Sequence, residues 1–291
     1  MNKLNLLWRT VYVNVILNVF RPWGWAALAA LVIWSVAVPG IGMCKADFLA
    51  RAQELGYPPL SDARLAGLGI AQVASSFMTL FGVLFLLNSL DRERDIGLDE
   101  LLASLPLSES SFVALQYVAN VVTLLFFTLV AYVVALIAYP FRGASALILP
   151  DFLWPGLLFP LGSAFLLAAL PLFLDVLHIH HVMRGIAYGI IMILFNLGPF
   201  ALSAMTNLNH PRHPLFQLWL TASLGLDTFG MWYLQGYLEL VFQVIEQLGT
   251  VLVPSHLFWT IVLRPRLASI GLGLLLAAFS VWQRQRFGAE P

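Results

Sequence analysis

Five of the six histidines fall into two groups, DVLHIHHVMR with His178, His180 and His181, and NHPRHP with His210 and His213; only His256 stands apart. Imidazoles at such spacing ligate transition metals. A membrane iron oxygenase needs several such groups converging on one side of the bilayer, and the topology argued below puts these two on opposite sides. No metal ligands are assigned, although His210 and His213, on the outer side, are where metal-loaded cargo would leave. Ser163, in PLGSAF, is the one serine in a suggestive Gly-Ser context inside an apolar run. A serine nucleophile needs a base within hydrogen-bond reach, and no histidine lies at its depth, so no catalytic residue is assigned. A phosphate-cradling loop of the form G-x-x-x-x-G-K-[ST] is also missing, because neither of the two lysines, Lys3 and Lys45, follows a glycine. ATP and its magnesium therefore cannot be held in this chain in that way, and no cofactor is expected here.

Within the apolar runs the polar side chains are amides and hydroxyls: Gln72, Ser75, Ser76, Thr79, Gln116, Asn120, Thr123 and Asn196. Gln116, Asn120 and Thr123 stand at i, i+4 and i+7, hence on one helix face. Together with Asn196 they are candidates for lining a translocation path; the other role of such a line is to tie helices together by hydrogen bonds. Ion-driven carriers place ionisable groups at mid-membrane. Here Asp151 and Asp175 lie at the ends of a run and Asp227 in a segment of mixed character, which disfavours a secondary transporter or channel.

Charge is concentrated elsewhere. NSLDRERDIGLDELLASLPLSES, residues 88–110, packs six acids and two arginines between two apolar runs. In it, DIGLDELLASLP reads as a short helix: Gly97 loosens its entry, Asp99 and Glu100 suit its start, and Pro106 ends it. Leu98, Leu101, Leu102 and Leu105 then form a stripe on one face, with Arg92, Glu93, Arg94 and Asp95 around the entry. Such a stripe either docks in the groove of a soluble partner whose rim pairs with the charges or lies against headgroups and the protein's own spans.

The elements that position these residues follow from composition. The chain has 291 residues, 60% hydrophobic and 10% charged, with formal net charge zero. That is the composition of a membrane protein and excludes a basic nucleic-acid binder; the single cysteine, Cys44, excludes a disulfide scaffold. A bilayer core of roughly 30 Å takes about 20 helical residues to cross. Five runs satisfy this: 23–43, 66–90, 112–139, 152–174 and 185–206. A sixth, 267–282, is short and must start earlier or let its flanking arginines, Arg264, Arg266, Arg284 and Arg286, snorkel. Residues 3–20 form an amphipathic helix in the interface, with Leu4, Trp8, Val11, Val15 and Val19 on one side and Asn14 and Asn18 on the other, rather than a cleavable signal. The alternative is a cytosolic extension of the first span. Residues 207–263 carry Asp227, Glu239 and Glu246 among many aromatics and suit outer half-helices that re-enter or lie along the bilayer; a seventh crossing at 214–233 is the alternative. Trp219, Trp232, Tyr233, Tyr237 and Trp259 fit an interfacial belt there, and the segment could dock a periplasmic partner. Basic residues divide eight inside to seven outside, so orientation rests on both termini and two short connections facing the cytosol.

The run RERDIGLDELLASLPLSESSFVALQYVANV resembles the cytosolic loop of permease subunits of type-2 ABC exporters. Its Arg92–Glu93 pair, Gly97, the Glu100–Leu101–Leu102 turn and the Pro106–Leu107–Ser108 triplet stand in the family's order. The two extra acids of DRERDIG depart from it and leave open which ATPase is the partner. The resemblance implies that residues 91–109 hold the coupling helix, with Arg92, Glu93, Gly97, Leu98, Glu100, Leu101, Leu102, Leu105 and Pro106 contacting two ATPase subunits. It also implies a second permease copy, a homodimer or a close relative. The expectation is therefore one all-α integral membrane domain over 1–291, with six transmembrane helices in the cell membrane, both termini cytoplasmic, acting as the permease of an ATP-driven exporter. The alternatives are a membrane anchor or scaffold that recruits a soluble complex, or a secondary transporter or channel.

Overall fold

A computed structural model of the chain describes residues 3–20, 22–37, 62–82, 86–87, 108–142, 147–177, 179–192 and 264–287. The described residues are helical almost throughout, with no strand among them. The elements are α1 (Lys3–Val19), α2 (Pro22–Ala37), α3 (Asp62–Phe77) running on into a π-turn at Met78–Gly82, α4 (Glu109–Ala138), α5 (Leu149–Val176), α6 (His181–Met192) and α7 (Arg264–Phe287).

Local chemistry sets their ends. The side chain of Ser108 caps α4 by accepting from the backbone N–H of Ser111 at 3.3 Å. Pro150 sits in the first turn of α5, where a missing N–H costs nothing. Pro22, in the first turn of α2, likewise suits a helix start, and α1 and α2 meet there at a bend of 72°.

Two helices, Ser110–Ala138 and Arg266–Arg286, are long and apolar enough to span a membrane, and the shorter apolar stretches Pro160–Val176 and Val182–Ile191 accompany them. The surface agrees with a lipid environment: Leu275 is 69% exposed and Ile33 68%, while Asn120 and Thr123 are fully buried. A water-soluble fold distributes such residues the other way.

α4 and α5 form the centre and run antiparallel. Tyr117, early in α4, donates to the Phe165 carbonyl at 3.2 Å, and Tyr132, late in α4, stacks edge-on against Phe152 near the start of α5. α3 is antiparallel to α4, since Tyr132 donates to the Gly67 carbonyl at 3.1 Å and Phe127 meets Phe77 at 5.5 Å. α7 runs parallel to α5: Arg266 lies against Gly162, Phe279 against Phe173, and Gln283 donates to the Val176 carbonyl at 3.4 Å. Small residues permit these approaches. A Cβ at Gly273 would sit 2.5 Å from the Phe165 carbonyl oxygen, and one at Gly67 would strike the backbone of Phe152. Between helices in lipid, close packing of this kind replaces the hydrophobic drive available in water.

The sixth run is longer than its apolar letters. α7 takes in Arg264 and Arg266 at its start and Arg284 and Arg286 at its end. The N-terminal helix is present, but its faces differ from the expected ones. Asn14 and Asn18 are buried with Val11 and Val19, whereas Trp8 and Tyr12 face outward. The buried stripe is 11, 14, 18 and 19, and within it Asn14 finds an amide partner, Gln116 of α4, that the sequence of α1 alone does not reveal.

Candidate functional site

The directions of the helices gather one set of ends. Leu86 and Leu87 beyond the π-turn, Ser108 opening α4, Val176 closing α5, His181 opening α6 and the basic end of α7 all lie toward the same end of the bundle. Leu87 and Ser108, which flank the charged stretch 88–107 in sequence, are therefore both toward that end. Arg92, Glu93, Gly97, Leu98, Glu100, Leu101, Leu102, Leu105 and Pro106 lie outside the described residues, as do Asn196 and the segment 207–263. What is described is the base of the loop: Leu86 and Leu87 are buried in a core with Tyr117, Leu124, Leu166, Leu172, Tyr188 and Ala277.

Of the amide line, all three described members face the interior. Gln116 accepts from Asn14 of α1 at 2.5 Å, Asn120 donates to the Ala168 carbonyl of α5 at 3.4 Å, and Thr123 bonds back to the Ala119 carbonyl. Two of the three thus join α4 to a neighbour, while the Asn120 Oδ1 and the Asn18 Nδ2 are buried without hydrogen bonds.

Three features went unassigned in the sequence. The first is an ion pair across the turn between α5 and α6. Arg184 Nη1 lies 2.6 Å from Asp175 Oδ1, with the two side chains 6% and 1% exposed. The Arg184 Nε also donates to the Ile179 carbonyl, closing the turn on itself. Read singly, Asp175 marked the end of a run and Arg184 had no assignment; the signal for a pair was their separation across one short turn, with opposite charge. Pairing neutralises two charges that burial would otherwise penalise heavily. The second is a bond from the Tyr188 hydroxyl of α6 to the Thr79 carbonyl in the π-turn. The third is Arg266, expected as a flanking residue and found 9% exposed against Gly162, near the middle of α5. A buried charge is costly unless it is paired or hydrogen-bonded.

His180 is exposed, and Ser163, at 1% exposure, is buried in the α5 interior. The arrangement binds the helices together through buried polar contacts. Compared with known proteins, the chain matches no family model and no curated relative.

Proposed function

We propose that this chain is the permease subunit of an ATP-driven exporter of the type-2 ABC class, forming the translocation path with a second copy of itself. The loop 88–107 carries the coupling helix, and separate ATPase subunits supply the energy. The single observation that carries the reading is the motif in the sequence of residues 91–109, between the buried Leu86 and Leu87 and the Ser108 cap of α4. Nucleotide closes the ATPases, the leucine stripe of the coupling helix is pushed, and the helices shift between two packings, a population shift biased from outside the membrane.

Helix direction supports six spans over seven. Two helices that run the same way through a bilayer must be joined by an odd number of crossings. α5 and α7 run the same way, and α6 begins one crossing. A further crossing at 214–233 would turn α7 around. With six crossings both termini face the cytosol, and α1 lies at the cytosolic surface of the cell membrane with Trp8 and Tyr12 toward lipid.

The test is hydrolysis. The complex isolated from its native membrane should turn over ATP, and the paired change Glu100→Ala with Leu101→Ala should lower the rate at least tenfold while the chain stays folded. Unchanged turnover with unchanged ATPase binding would refute the coupling role and leave a scaffold.

A further inference from the structure

Immediately before the charged loop, α3 changes its hydrogen bonding. Over the five residues Met78–Gly82 the chain adopts a π-turn, which accommodates one residue more than an α-helical turn does. An inserted residue of this kind leaves carbonyls out of step with the amides that would ordinarily reach them. Here side chains take over. The Thr79 hydroxyl donates to the Ser75 carbonyl at 2.8 Å, and the Tyr188 hydroxyl donates to the carbonyl of Thr79. Tyr188 is 3% exposed and Thr79 fully buried, so no water competes for that bond. The neighbouring helix closes on the same turn. A Cβ at Gly82 would come within 2.6 Å of Leu124 Cδ2, and Thr128 Oγ1 lies 3.5 Å from the Met78 sulfur.

We propose that the Tyr188 hydroxyl is the latch that keeps α3 in its π-turned form and so fixes the register at which Leu86 and Leu87 enter the core. Without that donor, the Thr79 carbonyl is left in apolar surroundings, and α3 regains a matched ladder by slipping one residue. A one-residue slip turns everything after Gly82 by about 100° and advances it by about 1.5 Å. Leu86 and Leu87, which share the core of Tyr188, are the first side chains to be re-aimed, and the loop follows. Tyr188 is thus a positioning residue. It ties α6 to the root of the coupling loop from a distance, through backbone register. Its place in the coupling route rests on the function proposed above; the register it sets at Leu86 and Leu87 does not.

The experiment uses the full-length chain with Cys44→Ser and two labelling sites, Asp95→Cys in the loop and Gln285→Cys at the exposed end of α7. Both carry nitroxides, in phospholipid vesicles, diluted with unlabelled chain so that only distances within one copy are read. Tyr188→Phe should displace the mean distance by about 4 Å, the Cα shift of a one-residue helical slip. Thr123→Val, which removes a buried hydroxyl that bonds back to its own helix, should leave it in place. Deleting Leu80 removes the residue that the π-turn accommodates, so that a plain α-helix brings the chain after Gly82 to the same place; in the Tyr188→Phe background this deletion should return the label to the parent distance, which keeps the test open if Tyr188→Phe alone does not fold. An unchanged distribution in Tyr188→Phe overturns the latch, as does an equal displacement in Thr123→Val. If the phenylalanine variant is unfolded, a displaced label or an unfolded chain on deleting Leu80 in that background overturns it instead. No ATPase is needed for any arm, so a failure of the permease reading, seen as loss of no nucleotide-hydrolysing activity on changing the loop, is separate from a failure here.

Discussion

At the scale of single residues, the decisive question is what happens to a polar group when its partner is removed. Asp175 and Arg184 neutralise each other where water hardly reaches. Asp175→Asn keeps the shape and strands the guanidinium, a change expected to cost on the order of 3 kcal/mol. Replacing both residues by leucine removes the stranded charge together with its partner and should cost less than the single change. Thermal unfolding of the two variants in lipid nanodiscs orders them; a double variant less stable than Asp175→Asn would show that the pair contributes more than mutual neutralisation. Asn14 poses the same question without charge. Its Nδ2 is the donor to Gln116, and Asn14→Ala should cost about 1–2 kcal/mol by leaving a buried acceptor unmatched. An unchanged unfolding temperature would mean that Gln116 finds another donor.

At the scale of elements, the long apolar helices were legible and their faces were not. Runs at 112–139 and 152–174 announce α4 and α5 because only helices satisfy their own backbone in lipid, and Ser108 and Pro150 mark where they begin. α1 shows the limit. Its letters sort into apolar and amide positions, and the rule from soluble proteins sends the amides outward. In lipid the rule reverses, so Asn14 is buried and Trp8 exposed. α7 shows another. Its apolar letters stop at the arginines, yet the helix continues through Arg266 because Gly162 of α5 leaves room for the side chain. The π-turn has no signal in MTLFG at all: the bond that accompanies it comes from Tyr188, more than a hundred positions along the chain. The roles assigned to 91–109 came from a motif, and those residues lie outside the described ones; the packed root of the loop at Leu86 and Leu87 was not foreseen.

At the scale of the whole molecule, the account makes one statement about sides and one about partners. Leu87 and Ser108, which flank residues 88–107, and the end of α7 lie toward the same end of the bundle, so single cysteines at Asp95 and Gln285 in a Cys44→Ser chain should react with a membrane-impermeant maleimide from the same side of sealed vesicles. Reaction from opposite sides would restore the extra crossing at 214–233 and turn α7 around. The partner statement is tested most directly by placing a photo-crosslinker on Leu101→Cys in the same background and irradiating native membranes. The account predicts a discrete adduct with a cytosolic subunit that hydrolyses ATP. An adduct with a protein lacking that activity, or labelling of the loop only from the outer face, would contradict it.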